Sequence, residues 1–145
     1  MQIVIDDLIT DELKTYLLSQ DGIDEVNIAR KDFLVTLDVK YNEKITPYII
    51  MKHIELFQKN KFPIVFEFNK GQYQNIKELK YTIDDMCCEY CYKGLVKDLF
   101  DNEYINAVKS NFKYDEPAFN IEFTIEYDNS YSEDDLIKYI KDKYR

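Results

Sequence analysis

Residues Asp84 to Cys91 read DDMCCEYC and hold all three cysteines of a 145-residue chain. Cys88 and Cys91 stand in Cys-x-x-Cys spacing. They lie where a strand-like run, ELKYTI, gives way to helical spacing at Cys91, Leu95 and Leu99. One thiol then falls in the turn and the other in the first turn of a helix, so both can reach one ion. The amino end of a helix favours thiolate. Soft thiolates take Cu(I), zinc and heavier thiophilic ions over magnesium or calcium. The spacing points to soft-metal chemistry. Two plainer readings stay open beside it, since cysteine is often a small core residue and paired thiols can also carry redox chemistry.

Other chemistry finds little support. His53 is the single histidine, so sites built from two or more histidines are excluded, and its place near the apolar side of a helix reads as structural. Carboxylate pairs such as Asp6-Asp7, Asp84-Asp85 and Asp134-Asp135 are common in any acidic chain and do not mark acid-base catalysis. Three glycines leave no phosphate-binding loop. The expectation is that the protein is not an enzyme.

The net charge of −9, from 28 acidic and 19 basic side chains, repels phosphate backbones and argues against nucleic acid as a partner. The opening MQIVIDDLIT lacks a basic n-region and a long apolar run, so no secretory signal is expected. No run approaches the roughly 20 apolar residues that span a bilayer, so no membrane insertion is expected. An odd cysteine count without a signal indicates a reducing, cytoplasmic setting.

The thiol loop belongs to one of two copies of a single plan. The triplet IDD ends strand-like runs at Ile5 to Asp7 and again at Ile83 to Asp85. In the first copy an apolar stripe at Leu13, Leu17 and Leu18 follows, and Gly22 is a plausible helix stop. Two strand-like runs come next in each copy. They are EVNIAR and FLVTLDVKY around the Lys31-Asp32 turn, then INAVKSNFKY and AFNIEFTIEY around Asp115-Glu116-Pro117. In the last of these Phe119, Ile121, Phe123 and Ile125 alternate with polar residues.

A second helix closes each copy. Thr46 can cap the first with Pro47 at its opening position, and Ile49, Ile50, Ile54 and Phe57 form its apolar side. Ser132 starts the other, with Leu136, Ile137 and Ile140 as its stripe. The order is that of the split βαβ plan. The expected fold is α+β, two tandem ferredoxin-like βαββαβ units over residues 1-70 and 77-145, joined by Lys70 to Ile76.

The second unit lacks room for its last strand. A truncated chain, an open sheet edge or a borrowed strand would each account for that. Phe62 to Phe68 can pair as a hairpin with Lys77 to Ile83, so the strand near 62-69 would be shared in one continuous antiparallel sheet. The helices of the two copies would then lie on opposite faces. An open edge, or a metal shared between two thiol loops, would favour a dimer.

Met86-Cys87-Cys88-Glu89-Tyr90-Cys91 resembles the Met-x-Cys-x-x-Cys motif of heavy-metal-associated (HMA) domains, found in copper chaperones, mercury-binding proteins and the amino-terminal modules of metal-pumping P-type ATPases. The likeness covers most of residues 77 to 145, and residues 1 to about 70 look like a degenerate member. The resemblance implies that Cys88 and Cys91 ligate a soft ion of the Cu(I) or Zn(II)/Cd(II) type. It implies that Met86 packs under the loop, and that Tyr144 stands where the family often sets a lysine or aromatic residue near the metal. Asp85 replaces the family's usual glycine. Cys87 fills the variable position, which supplies an extra ligand in relatives handling divalent ions; a small, partly buried residue is the plainer reading.

In the first copy Leu8 stands for the methionine, and Thr10 and Leu13 for the cysteines, so no metal is expected there. The implied role is a soluble metallochaperone, buffer or transporter-type module, exchanging its ion with a metal transporter or another thiol-bearing acceptor. The alternative is a metal-free interaction or regulatory module that keeps the fold.

Overall fold

The computed structural model describes residues 1-6, 11-58, 63-72, 75-86, 88-113, 116 and 119-144. These form, in chain order, β1 (Gln2–Asp6), α1 (Asp11–Leu18), β2 (Ile23–Lys31), β3 (Leu34–Tyr41), α2 (Pro47–Gln58) and β4 (Val65–Asn69). There follow β5 (Ile76–Asp85), α3 (Glu89–Asp101), β6 (Ile105–Ser110), β7 (Phe119–Asp128) and α4 (Glu133–Lys143). The architecture is α+β, four helices on a seven-stranded sheet in the order β2-β3-β1-β4-β6-β7-β5, with antiparallel pairing throughout. Among the described residues no helix is long and apolar enough to cross a membrane.

Local chemistry sets the elements. The Thr46 hydroxyl accepts from the Ile49 amide at 3.3 Å and caps α2, and Ser132 Oγ accepts from the Asp135 amide at 3.0 Å and caps α4. Gly22 follows α1 with φ of +98°, and a Cβ there would come within 2.9 Å of the Ile45 side chain. Only glycine fits that turn without displacement. In β7, Ile121, Phe123, Ile125 and Tyr127 alternate into the core. Phe119, expected to share that row, is 66 % exposed because it lies at the strand's outer end. Ile49, expected on the buried side of α2, is also exposed, and Met51 takes its place in the core.

The strand near 62-69 does join both halves in one sheet, but not by the expected hairpin. Phe62 lies outside the described residues. β4 pairs with β1 on one side and with β6 on the other, through Phe68 opposite Val108 and Asn69 opposite Ala107. β5 is displaced to the far end, against β7. Two features account for this. Ile105 to Val108 of β6 are four consecutive buried residues, the pattern of a strand inside a sheet rather than at its edge. The link from β4 to β5 need cross only three strand spacings, about 14 Å, which six residues span easily. That link is pinned on its way, since the Lys70 amide donates to the Asn106 carbonyl at 2.7 Å and the Gln72 amide to Asn106 Oδ1 at 3.2 Å.

The changed pairing also overturns the expectation of helices on opposite faces. Lys97 of α3 reaches Glu55 of α2 at 3.1 Å, and Lys93 of α3 reaches Asp6 of β1 at 3.2 Å, so the helices of both halves share one face. Crossover handedness explains it. With β4 between β1 and β6, the crossovers β1-α1-β2 and β5-α3-β6 run the same way across the sheet. Right-handed crossovers of one direction put their helices on one side.

Candidate metal centre

β5 carries the chain to the thiol loop and α3 leads it away. Met86, directly after β5, is 3 % exposed and belongs to the core with Leu79, Ile83 and Leu95. Burying a side chain of that size anchors the loop by about 2 kcal/mol. Leu13, standing for the second cysteine in the first half, is fully buried under α1. Leu8, Thr10 and Cys87 lie outside the described residues.

Cys88 is the N-cap of α3, in extended conformation, and its carbonyl accepts the Tyr92 amide at 3.1 Å. Its side chain makes no capping hydrogen bond. The sulfur turns instead to Cys91, one turn along, where the Sγ atoms lie 3.8 Å apart. Cys88 is exposed, while Cys91 is half-buried against the core. Cys91 is disulfide-bonded, so its sulfur becomes available to an ion only after reduction. Among the described residues no three His, Cys, Asp or Glu side chains converge as a ready cation site.

Tyr144 lies beside the loop. It caps the carboxyl end of α4, and its hydroxyl donates to the Asp85 carbonyl at 2.9 Å. An open groove runs from there past Cys91 and Gly94 to Asp98, with Tyr90 on its rim. Burial lifts the Asp98 carboxyl above the usual carboxylate range. Among the described residues, one buried carboxylate oxygen of Glu89 has no hydrogen-bond partner. The structure thus brings Cys88, Cys91, Met86 and Tyr144 to one end of the sheet. His53 is remote from it, on α2 with its ring nitrogen 3.0 Å from the Tyr16 hydroxyl.

Sequence reasoning missed two buried polar residues at the opposite end of the sheet. Lys70 is 4 % exposed, donates to the Asn102 carbonyl at 3.1 Å and lies over the Phe100 ring. Burial pulls its ammonium down to about 8. Asn106 holds the Lys70–Gln72 link and donates to Glu126 at 3.3 Å. The only signal available was an asparagine inside an otherwise apolar INAV run.

No protein-family model matches this chain, and no curated protein or solved structure matches it either.

Proposed function

We propose that this protein carries or buffers a soft metal ion, held in the reduced chain by the thiolates of Cys88 and Cys91. In this reading the two halves are ferredoxin-like units of the HMA type, the first without ligands and the second without its own last strand. The observation that carries it is the sulfur-sulfur distance of 3.8 Å at the amino end of α3. A metal-sulfur bond of about 2.3 Å at the tetrahedral angle sets two sulfurs about 3.8 Å apart. A linear ion with bonds of the same length needs about 4.6 Å. A reduced loop that keeps this spacing suits a zinc- or cadmium-type ion better than linear Cu(I).

Two protein sulfurs leave coordination positions open. An incoming thiolate from an acceptor can bind before Cys88 or Cys91 departs, so the ion passes on by ligand exchange. Cys87 competes for one of those positions as a third ligand. The buried Met86 and the Tyr144–Asp85 hydrogen bond support the reading by steadying the loop from below and beside. The chemistry requires a reducing compartment, because the disulfide and the metal compete for Cys91.

A second reading, a metal-free interaction module, is favoured by the first half, where Leu13 fills the ligand position and the core is intact. Anaerobic titration of the reduced protein with Zn(II) and Cu(I) against competing chelators separates the two. One-to-one binding, lost in the Cys88→Ser, Cys91→Ser double variant, is the expected result. Affinity no better than a simple dithiol's would remove the carrier reading and leave the interaction module. Cys87→Ser in the same titration shows whether the third thiol contributes.

A further inference from the structure

The seven-stranded sheet ends in β2 and β5, and the two edges are not alike. β2 is interrupted by a register shift between Ile23 and Glu25, a bulge of the kind that discourages further pairing. β5 runs against β7 from Ile76 to Asp85 in unbroken register, contains no proline, and has no strand on its outer side among the described residues. The repeat shows what that side is built to accept. β1, the equivalent strand of the first half, is flanked by antiparallel strands on both sides, β3 and β4. β5 has only the equivalent of β3.

We propose that the outer edge of β5 pairs antiparallel with β5 of a second copy of this chain, about a twofold axis through Thr82. From Lys80 to Asp84 the strand is complementary to itself in that register. Lys80 of each copy stands opposite Asp84 of the other, both on the open face, where both are exposed. Neither makes an ion pair within the chain among the described residues. On the helix face, half-buried Tyr81 stands opposite the buried Ile83, in both directions. Opposite charges and aromatic–aliphatic pairs placed directly across an antiparallel ladder are stabilising, and like charges there are not. A shift of two residues one way puts Lys80 opposite Thr82 and Glu78 opposite Asp84; a shift the other way puts Lys80 opposite Met86. The Thr82-centred register therefore stands out on charge. Twofold pairing keeps all helices on one side and closes at two copies.

The test is sedimentation velocity of the metal-free, reduced chain in chelator, from about 1 µM to about 1 mM, for the wild type and three variants. The wild type is expected to dimerise. Lys80→Glu and Asp84→Lys each turn two attractive pairs into repulsive ones and should weaken the dimer about tenfold or more. The double variant Lys80→Glu, Asp84→Lys should restore it. Circular dichroism checks that every variant is folded, and chelator excludes association through shared metal. A wild type that stays monomeric overturns the proposal. So do folded single variants that dimerise unchanged, a double variant that fails to recover, and growth beyond the dimer, which indicates head-to-tail β2–β5 pairing.

Discussion

The Tyr144 hydroxyl and the Asp85 carbonyl, 59 positions apart in the chain, are joined by a 2.9 Å hydrogen bond that ties the end of α4 to the end of β5. Asp85 lies immediately before the thiol loop, so this bond limits how far the loop can open. Tyr144→Phe keeps the ring and removes the tie. We expect metal to leave several-fold faster, with a stability loss of only about 0.5 to 1 kcal/mol because the bond is exposed. Stopped-flow transfer to a chelator and a urea titration measure the two quantities. Unchanged release would separate Tyr144 from the site.

The two proposed ligands should respond differently to substitution. Cys88 is exposed, so Cys88→Ser should cost less than about 0.5 kcal/mol of stability while abolishing chelation. Cys91 packs against the core, so Cys91→Ser should cost about 1 kcal/mol in addition. Chelator competition and chemical unfolding on the reduced variants test both halves of that statement.

Lys70 gives the protein an unusual alkaline profile. Burial holds its ammonium at about 8, against an ordinary 10.5. Between those values the unfolded chain keeps a proton that the folded chain has released, so stability rises with pH across that window. The tyrosines act in the opposite sense. Burial raises Tyr92, and raises Tyr139 to about 12, so their contribution is complete below pH 10 and is lost above it. Urea midpoints should climb above pH 8 and fall above pH 10. Lys70→Met should flatten the climb and leave the fall, and a wild-type midpoint that only declines from pH 8 would refute this account.

Gly22 is a position where an added methyl cannot be accommodated freely. Its φ is +98° and a Cβ would press on Ile45. Gly22→Ala should lower stability by about 1 to 3 kcal/mol, read as a shift of the thermal midpoint. An unshifted melt would mean that the turn between α1 and β2 rearranges at little cost.

Element identity was legible in the sequence wherever it depended on neighbours a few residues away. The Thr46 and Ser132 caps, the glycine turn at Gly22 and the alternation of Ile121, Phe123 and Ile125 are local, and the helices and strands stand close to where these patterns put them, although Phe119, read into the same row, is exposed. The mixed apolar faces of FPIVFEF correctly marked β4 as a strand of the shared sheet. Its partner was not legible, because two edges of the second half compete for it and a nearby hairpin is the simpler guess. The choice rests on Asn106 and on the four buried residues of β6, features that gain meaning only when the strands are laid side by side. Within the site, Cys88, Cys91, Met86 and Tyr144 come together at one end of the sheet. The polar groups Lys70 and Asn106 carried no periodic signal and were found only through their burial.

β4 belongs to the first half by sequence but lies between β1 and β6. No single cut between the halves leaves both with their neighbours: severing the chain after Asn69 strips β6 of one side of its ladder. The Lys97–Glu55 contact between α3 and α2 reinforces the union above the sheet. The half without thiols is thus the foundation on which the other is folded. Heat or urea should melt the two as one cooperative block, and damage under α1 should reach the thiol loop at the far end as a loss of order.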